Sequence, residues 1–142
     1  MVEMDAPVAD ATLSSLTREI GAESAVVVVR DGVTGERTVI ASAGLPEVAV
    51  AGLTAAMRDP RHPVSATFDA PVAAFDVQPT GPGGPALRSH VPITRAGRPD
   101  EPPIAVLAIA HDRSLRESDR DAVTAAVSDL ASMLGERTDE TR

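Results

Sequence analysis

The sequence predicts one α+β domain, with a central antiparallel β-sheet flanked by N-terminal and C-terminal helices. Its length of 142 residues is typical of a single domain. Apolar residues repeat with helical spacing near both ends of the chain, which favours terminal helices. Between them, two pairs of strand-like segments are each separated by turn residues, and such pairs form antiparallel hairpins.

The first helix and the first hairpin are predicted from the segment that ends at residue 41. Residues 10–20 place apolar side chains at i, i+3 and i+7, and Gly21 ends that helix. Residues 25–30 are a β-branched run without alternation, which is typical of a strand covered on both faces. Turn residues follow, and residues 37–41 return as the partner strand. The helical stripe consists of Leu13, Leu16 and Ile20.

The middle of the chain predicts a second helix and a long crossover. Pro46 fits the first turn of a helix that ends before Pro60. Between residues 58 and 85, repeated prolines and a Gly-Pro-Gly-Gly run interrupt any long regular element. This composition indicates a shaped crossover that contains one short strand at residues 64–68.

A second hairpin and a final helix complete the prediction. Residues 86–93 and 104–111 form two strands joined by a polar loop. A helix then follows, and Gly135 closes it. We expect the charged tail 136–142 to be disordered. The apolar stripe of this helix consists of Val123, Val127, Leu130 and Leu134.

Composition excludes several classes of function. The chain has no cysteine, which excludes disulfides, Cys-ligated zinc, iron–sulfur clusters and thiol redox chemistry. The net charge is −8 and the arginines are scattered, so nucleic acid is a disfavoured partner. The longest apolar run, residues 104–110, is far shorter than the roughly 20 residues that cross a bilayer. We therefore expect a cytoplasmic protein that is one domain over residues 1–142, with its core at about 10–135.

Four stretches of the sequence resemble the GAF domain, a small sensory α+β module. They are residues 22–30 (AESAVVVVR), 41–45 (ASAGL), 87–93 (LRSHVPI) and 104–119, which contains IAVLAIAH and LRESD. The order helix, hairpin, helix, long crossover, hairpin, helix also resembles that family. The resemblance implies that the terminal helices cover one face of the sheet and that the crossover with its helix covers the other, forming a ligand cavity.

The resemblance also limits which activity to expect. Cyclic-nucleotide GAF domains carry an Asn-Lys signature, and this chain has neither residue. Bilin-binding and methionine-sulfoxide-reducing GAF domains use cysteine, which is absent. The glycine-rich run 81–84 lacks the Lys-Ser/Thr of a phosphate loop, and Ser89 lacks a Gly-x-Ser-x-Gly elbow. We expect a protein that is not an enzyme and needs no cofactor.

The candidate ligand-binding residues are Phe75, Arg88 and His90. His90 alternates with its strand neighbours, so it faces the cavity if that face meets the crossover. The Arg88 guanidinium is a planar fork of donors suited to a carboxylate or phosphate, although an ion pair with Asp69 or Asp76 is the commoner arrangement. Phe75 is expected either to line an apolar cavity or to add packing bulk.

The other histidines have simpler interpretations. A haem-binding GAF domain needs an axial histidine, for which His62 and His90 are the candidates, but the Arg-His-Pro context of His62 favours an exposed position. His111 ends a strand beside Asp112, and we expect this pair to form a strand-end hydrogen bond and not a metal site. No histidine pair has the i, i+4 spacing of a metal site.

Two classes of function remain open at this point. One is a sensor module that binds a small molecule and acts by homodimerisation through its terminal helices or through a partner protein, as GAF domains do. The other is a scaffold of the roadblock or profilin-like type that regulates a small GTPase. A long crossover favours the GAF-like module, because the scaffold fold does not need one. A degenerate GAF domain, with its cavity filled by its own side chains, is a third possibility.

Overall fold

A computed structural model describes residues 6–78, 87–95 and 100–140, so the glycine-rich run 81–84 lies outside the described residues. Within these ranges the chain forms a five-stranded antiparallel sheet with helices on both faces. The elements in chain order are α1 (Ala6–Ile20), β1 (Ser24–Arg30), β2 (Arg37–Ala43), α2 (Glu47–Ala56), α3 (Pro63–Asp69), β3 (Ala74–Val77), β4 (Leu87–Ile93), β5 (Ala105–His111) and α4 (Glu117–Glu140). The α+β prediction is confirmed.

The strand order β2-β1-β5-β4-β3 places β1 and β5 inside the sheet. The uniform β-branched sequence of β1 is explained by this position, because both of its faces are covered. Val27 belongs to the apolar core beneath the terminal helices, whereas Val26 and Val28 belong to a smaller core on the opposite face. The sheet therefore separates two apolar layers.

Helices α1 and α4 pack side by side on the first of these faces. Their apolar stripes are used inside this one chain, since Leu13 and Ile20 of α1 and Leu130 of α4 are fully buried. The prediction that Gly135 ends the last helix is wrong, because α4 continues to Glu140. No helix in the described ranges is both long and apolar enough to cross a membrane.

The crossover differs from its prediction. Residues 64–68 form the helix α3 and not a strand. Pro63 occupies the first turn, and the ring of His62 accepts a hydrogen bond from the Val64 N–H, so the start of the helix is satisfied locally. The Ser65 hydroxyl donates to the Met57 carbonyl at 2.7 Å, which ties α3 to the end of α2. The short edge strand β3 follows and was not predicted.

A chain of polar contacts joins β3, β4 and β5 to the helices. The backbone N–H of Asp76 donates to the Ser89 hydroxyl at 3.3 Å, and the Ser89 hydroxyl lies 2.8 Å from Nε2 of His111. Nδ1 of His111 lies 2.7 Å from the Arg113 carbonyl, which can only accept. The neutral Nδ1–H tautomer therefore fits, with Ser89 donating to Nε2. His111 thus forms hydrogen bonds at the strand end, but its partners are Ser89 and the Arg113 carbonyl and not the predicted Asp112.

The same series of polar contacts fixes the start of α4. Asp76 lies at a bulge of β3 with a left-handed backbone (φ 58°), and its carboxylate accepts from the Leu115 N–H at 2.9 Å. The buried Asp119 carboxylate accepts from the Arg113 guanidinium at 2.8 Å and from the Arg116 N–H at 2.9 Å. These donors lower the pKa of Asp119 from 3.8 to about 2, the Arg113 hydrogen bond contributing most.

The junction between β2 and α2 depends on Gly44. Its φ is +79°, a conformation that side chains with a Cβ rarely adopt. A Cβ at this position would overlap the backbone carbonyl oxygen of Glu23. The chain can therefore turn here, close against the start of β1, only with glycine.

Candidate functional site

A cavity of about 710 Å³ lies on the face of the sheet opposite α1 and α4. Strands β1, β5 and β4 form its floor, whereas α2, the start of α3 and the end of β3 form its walls. The volume is in the range of pockets that hold small organic molecules. The described residues of the crossover therefore fold back over the sheet and form one wall of a partly open cavity.

Strand register explains the shape of the floor. Ala110 of β5 is flanked by Ser24 of β1 and Arg88 of β4, and Ala108 in the next row is flanked by Val26 and His90. Side chains two residues apart on a strand share a face, so both rows face the cavity. The central strand thus carries methyl groups where larger side chains would fill the space.

The next row along the floor is closed. Val28 and Val106 pack there against Met57, Val64 and Phe68 in the smaller apolar core. Phe68 is also covered by the Arg30 guanidinium, which lies 4.9 Å from the ring centroid. The cavity ends at this packed row.

Helix α2 forms an apolar wall that packs loosely. None of its residues is buried, although its sequence is almost entirely apolar. Ala49 and Leu53 face the cavity together with Leu45, which precedes the helix. A molecule bound in the cavity would therefore bury the accessible apolar surface of α2, which favours binding.

His90 is the most buried polar side chain at the cavity, with 5% of its surface exposed. Within the described part of the chain, neither ring nitrogen forms a hydrogen bond to another residue. Burial, and after it the nearby His62 and Arg88, lower the pKa of His90 from 6.5 to about 4. The ring is therefore neutral near pH 7, with one donor and one acceptor available.

His62 lies at the same cavity, at the start of α3. Its Nδ1 accepts from the Val64 N–H at 3.2 Å, so in the neutral ring Nε2 carries the hydrogen. Burial lowers the pKa of His62, opposed by the nearby Asp59. The prediction of an exposed His62 is wrong, because α3 brings it, half-buried, to the wall.

Arg88 lines the cavity one row from His90. The Arg88 guanidinium donates to the Leu87 carbonyl at 3.2 Å, whereas the two acids predicted as its ion-pair partners pair with other arginines. Asp69 pairs with Arg30 at 2.9 Å, and Asp76 pairs with Arg120 at 3.1 Å. Arg88 is the one permanent cation among the described lining residues, which also include the acidic Glu23.

Phe75 does not line this cavity. It packs against the core beneath α1 and α4, and the Arg120 guanidinium lies 4.6 Å from its ring centroid. The predicted set Phe75, Arg88 and His90 is therefore divided between the two faces of the sheet. The packing interpretation of Phe75 agrees with this position.

A Ser–His contact in the described part of the chain lies outside the cavity. The Ser89–His111 pair has the spacing of a nucleophile and its base, but both side chains are fully buried on the face away from the cavity. No group of three or more His, Cys, Asp or Glu in the described ranges is arranged to hold a metal ion. Sequence reasoning missed the floor alanines, because the register that brings Ala108 between Val26 and His90 is not visible in the sequence.

The buried His90 is expected to make stability depend on pH. Between pH 6.5 and about 4 the unfolded chain binds a proton on His90 that the folded state does not, so this residue lowers the free energy of unfolding as the pH falls. The total is on the order of 3 kcal/mol at pH 4 relative to pH 7. In urea titrations followed by circular dichroism, His90→Gln should lose less stability over this interval than the wild type. Arg18→Gln, an exposed change on α1, is the control, and parallel curves for all three proteins would contradict the expectation.

Comparisons with known proteins identify the fold. No family model matches the chain, and neither does any curated protein sequence. Among solved structures, the GAF domain of an Acinetobacter phosphoenolpyruvate-protein phosphotransferase superposes with a TM-score of 0.72 at 12% identity, covering 96% of this chain and 84% of that one. The second GAF domain of DevS from Mycobacterium smegmatis gives 0.69 at 17% identity, covering 96% and 97%.

Myxococcus xanthus MglB is also similar, with a TM-score of 0.64 at 16% identity and coverage of 96% and 94%. At sequence identities of 12–17%, these similarities establish the fold alone. The neighbours in this comparison include several GAF domains over most of the chain. The chain has a GAF-like fold, as its sequence predicted.

Proposed function

We propose that this GAF-like domain is a non-enzymatic sensor module of the cytoplasm that binds a small organic molecule in the cavity between the sheet and α2–α3. The observation that carries the proposal is the cavity of about 710 Å³ with its alanine floor. Arg88 and His90 provide polar contacts, and the apolar surfaces of α2 and β5 cover the remainder of the ligand.

The fold of the crossover supports this proposal over the two alternatives. A roadblock or profilin-like scaffold does not need the segment that here forms α3 and β3. A degenerate GAF domain would fill its cavity with its own side chains, whereas the described residues leave the space above Ala108 and Ala110 open. Solved structures with a similar fold include a domain of a candidate two-component sensor histidine kinase of Sinorhizobium meliloti and a domain of a methyl-accepting chemotaxis protein, and these proteins support a signalling role.

Output through α1 and α4 is part of the proposal, by homodimerisation or by contact with a partner protein. The apolar stripes of these helices are buried within the chain, so a dimer would use their outward faces. On α4 that face carries the small exposed residues Ala125, Ser128 and Ser132. Sedimentation at micromolar concentration separates the two routes. A strict monomer would exclude homodimerisation, so that contact with a partner protein would be the remaining route.

Filling the cavity is the test of ligand binding. Ala108→Phe adds a ring over the centre of the floor and should reduce ligand occupancy at least about tenfold. Native mass spectrometry of freshly purified protein, before and after incubation with a small-molecule extract, measures this occupancy. Ala55→Leu adds carbon atoms on the exposed side of α2 and should leave occupancy unchanged.

Two results would contradict the proposal. One is a wild-type protein that keeps the mass of the bare chain under all of these conditions. The other is an Ala108→Phe variant that retains the ligand as well as Ala55→Leu does. An absorption spectrum of the same sample tests the expectation that no cofactor is bound, since a Soret band would identify haem beside His62 or His90.

A further inference from the structure

Two buried polar side chains at the cavity form no side-chain hydrogen bond to any of the described residues. They are Ser24 of β1, with 8% of its surface exposed, and His90 of β4, with 5%. Buried polar groups are normally hydrogen-bonded, because an unpaired one loses its bonds to water. Both side chains therefore offer hydrogen bonds that a molecule in the cavity can complete.

Strand register places these two groups on opposite sides of the floor. Ser24 flanks Ala110 and His90 flanks Ala108, so β5 lies between them. Neighbouring strands are about 4.8 Å apart and residues two apart on a strand about 7 Å, so their Cα atoms are separated by roughly 12 Å. Side chains stand roughly perpendicular to a sheet, which keeps the polar atoms apart as well. A ligand that pairs with both therefore carries two separated polar groups.

The charged side chains of the cavity do not favour a charged ligand. In the described lining these are Glu23 and Arg88, which have opposite signs and lie on opposite sides of the floor. Glu23 is exposed, and the Arg88 guanidinium already donates to the Leu87 carbonyl at 3.2 Å and makes a further contact.

The two groups without a partner are themselves uncharged near pH 7. Ser24 carries a hydroxyl, and the ring of His90 is neutral because burial, above all, lowers its pKa to about 4. A neutral imidazole has one donor and one acceptor, and a hydroxyl can also donate and accept. Burying a charge beside such groups is costly, because the charge loses its hydration without gaining a counter-ion. An uncharged ligand avoids this cost.

Apolar surface lies between the two polar groups. Ala108 and Ala110 form the floor there, and α2 forms an apolar wall. Phe68 and Phe75, the two aromatic residues of the chain, pack in the apolar cores and not at the cavity. The described lining therefore has no phenylalanine, tyrosine or tryptophan ring on which a flat ligand could stack, and this favours an aliphatic body.

We propose that the cavity binds an uncharged aliphatic molecule with a hydrogen-bonding group near each end, one paired with His90 and the other with Ser24. This inference rests on the proposed function, because it assigns the chemical class of the molecule bound there. An amide both donates and accepts and so complements the neutral ring of His90. A hydroxyl complements Ser24 in the same way.

Titration of the ¹⁵N-labelled chain with four probes tests the assignment. The probes are 8-hydroxyoctanamide, octanamide, octanoate and octylammonium, which share an eight-carbon chain and differ in their end groups. We expect 8-hydroxyoctanamide to bind about fivefold more tightly than octanamide, since it completes a second hydrogen bond. Octanamide should bind at least about tenfold more tightly than either ion, because an ion must give up its hydration. The shifted resonances should include those of Ser24, His90 and Ala108.

Three variants assign the advantage of 8-hydroxyoctanamide over octanamide to the two polar groups. Ser24→Ala and His90→Leu should each remove this advantage, because either change leaves one end of 8-hydroxyoctanamide unpaired. His90→Gln should keep most of it, since the glutamine amide also donates and accepts. Ser132→Ala, an exposed change on α4, is the matched control and should leave the advantage unchanged.

Folding stability distinguishes a binding role of these side chains from a structural one. Because neither side chain is hydrogen-bonded to the described residues, Ser24→Ala and His90→Leu should not lower the urea midpoint of the ligand-free protein. Ser89→Ala is the comparison, since Ser89 is also buried but contacts His111, and its midpoint should fall. A fall for Ser24→Ala as large as that for Ser89→Ala would reject the assignment of Ser24 to a ligand.

Each other binding result overturns the assignment. Binding of octanoate or octylammonium as tight as that of octanamide would reject the uncharged ligand in favour of an acid or a cation. Equal binding of 8-hydroxyoctanamide and octanamide, or an advantage that survives Ser24→Ala, would reject the second polar contact. Failure of all four probes at millimolar concentration would reject the aliphatic class, and the Ala108→Phe comparison would still judge the proposed function on its own.

Discussion

Replacing Gly44 with alanine is expected to lower the free energy of unfolding by about 3 kcal/mol or more. Two costs combine at this position. The φ of +79° is unfavourable for alanine by about 1 to 2 kcal/mol. The new methyl group would also overlap the Glu23 carbonyl oxygen, which is backbone and can move only if the start of β1 moves. Urea denaturation followed by far-ultraviolet circular dichroism is the suitable measurement, because the chain has no Trp or Tyr to report by fluorescence.

Two other glycines separate these costs. Gly35 has a φ of +76° but open space around its Cβ position, so Gly35→Ala should show the conformational cost alone. Gly52 lies in α2 with open space and no positive φ, so Gly52→Ala should be neutral or stabilising by up to about 1 kcal/mol. If Gly44→Ala is no more destabilising than Gly35→Ala, the close approach to Glu23 is not limiting.

Removing the imidazole of His111 should cost about 3 to 5 kcal/mol of folding stability. The side chain is fully buried, so His111→Ala leaves a cavity. It also leaves the Ser89 hydroxyl without its acceptor and the Arg113 carbonyl without its donor. The same urea titration measures the loss. His62→Ala serves as the matched control, since His62 is only half-buried and caps a seven-residue helix.

A double-mutant cycle tests whether Ser89 and His111 act together. Ser89→Ala should cost about 1 to 3 kcal/mol, because Nε2 of His111 loses its donor. The double variant should lose less than the sum of the two single losses, since both single changes break the same hydrogen bond. Full additivity, or a loss for His111→Ala as small as that for His62→Ala, would show that the contact contributes little.

The long elements were predictable because their patterns repeat over many residues. The all-valine stretch of β1 has no amphipathic interpretation and requires cover on both faces. The apolar stripe of α1 spans about two helical turns and that of α4 about three. The end of α4 was misplaced because Gly135 is a common stop signal, although an isolated glycine is tolerated within a long helix.

The crossover was predicted less well because its stability comes from local hydrogen bonds. Residues 64–68 contain valine, threonine and phenylalanine, which favour strands. In the structure Pro63 and His62 start a helix, and the hydroxyls of Ser65 and Thr67 donate to backbone carbonyls. Such contacts depend on where α2 ends, and that is not evident from composition.

The candidate site was predictable only in part. Alternation along β4 separates Arg88 and His90 from Ser89, and this much follows from strand geometry. The positions of Phe75 and His62 depend on the bulge in β3 and on α3, neither of which was predicted. That Ala108 and Ala110 form the cavity floor becomes evident only from the register of β1, β5 and β4.

The alternation of side chains along β4 also determines how a ligand in the cavity would affect helix α4. Ser89 lies between Arg88 and His90 in sequence but faces the helices, where it contacts His111 and the Asp76 backbone. Asp76 in turn holds the first residues of α4. In the proposed sensor, the ligand site and the helical surface would therefore be separated by the thickness of a single strand, and a change at Arg88 or His90 could reach α4 through Ser89 and Asp76.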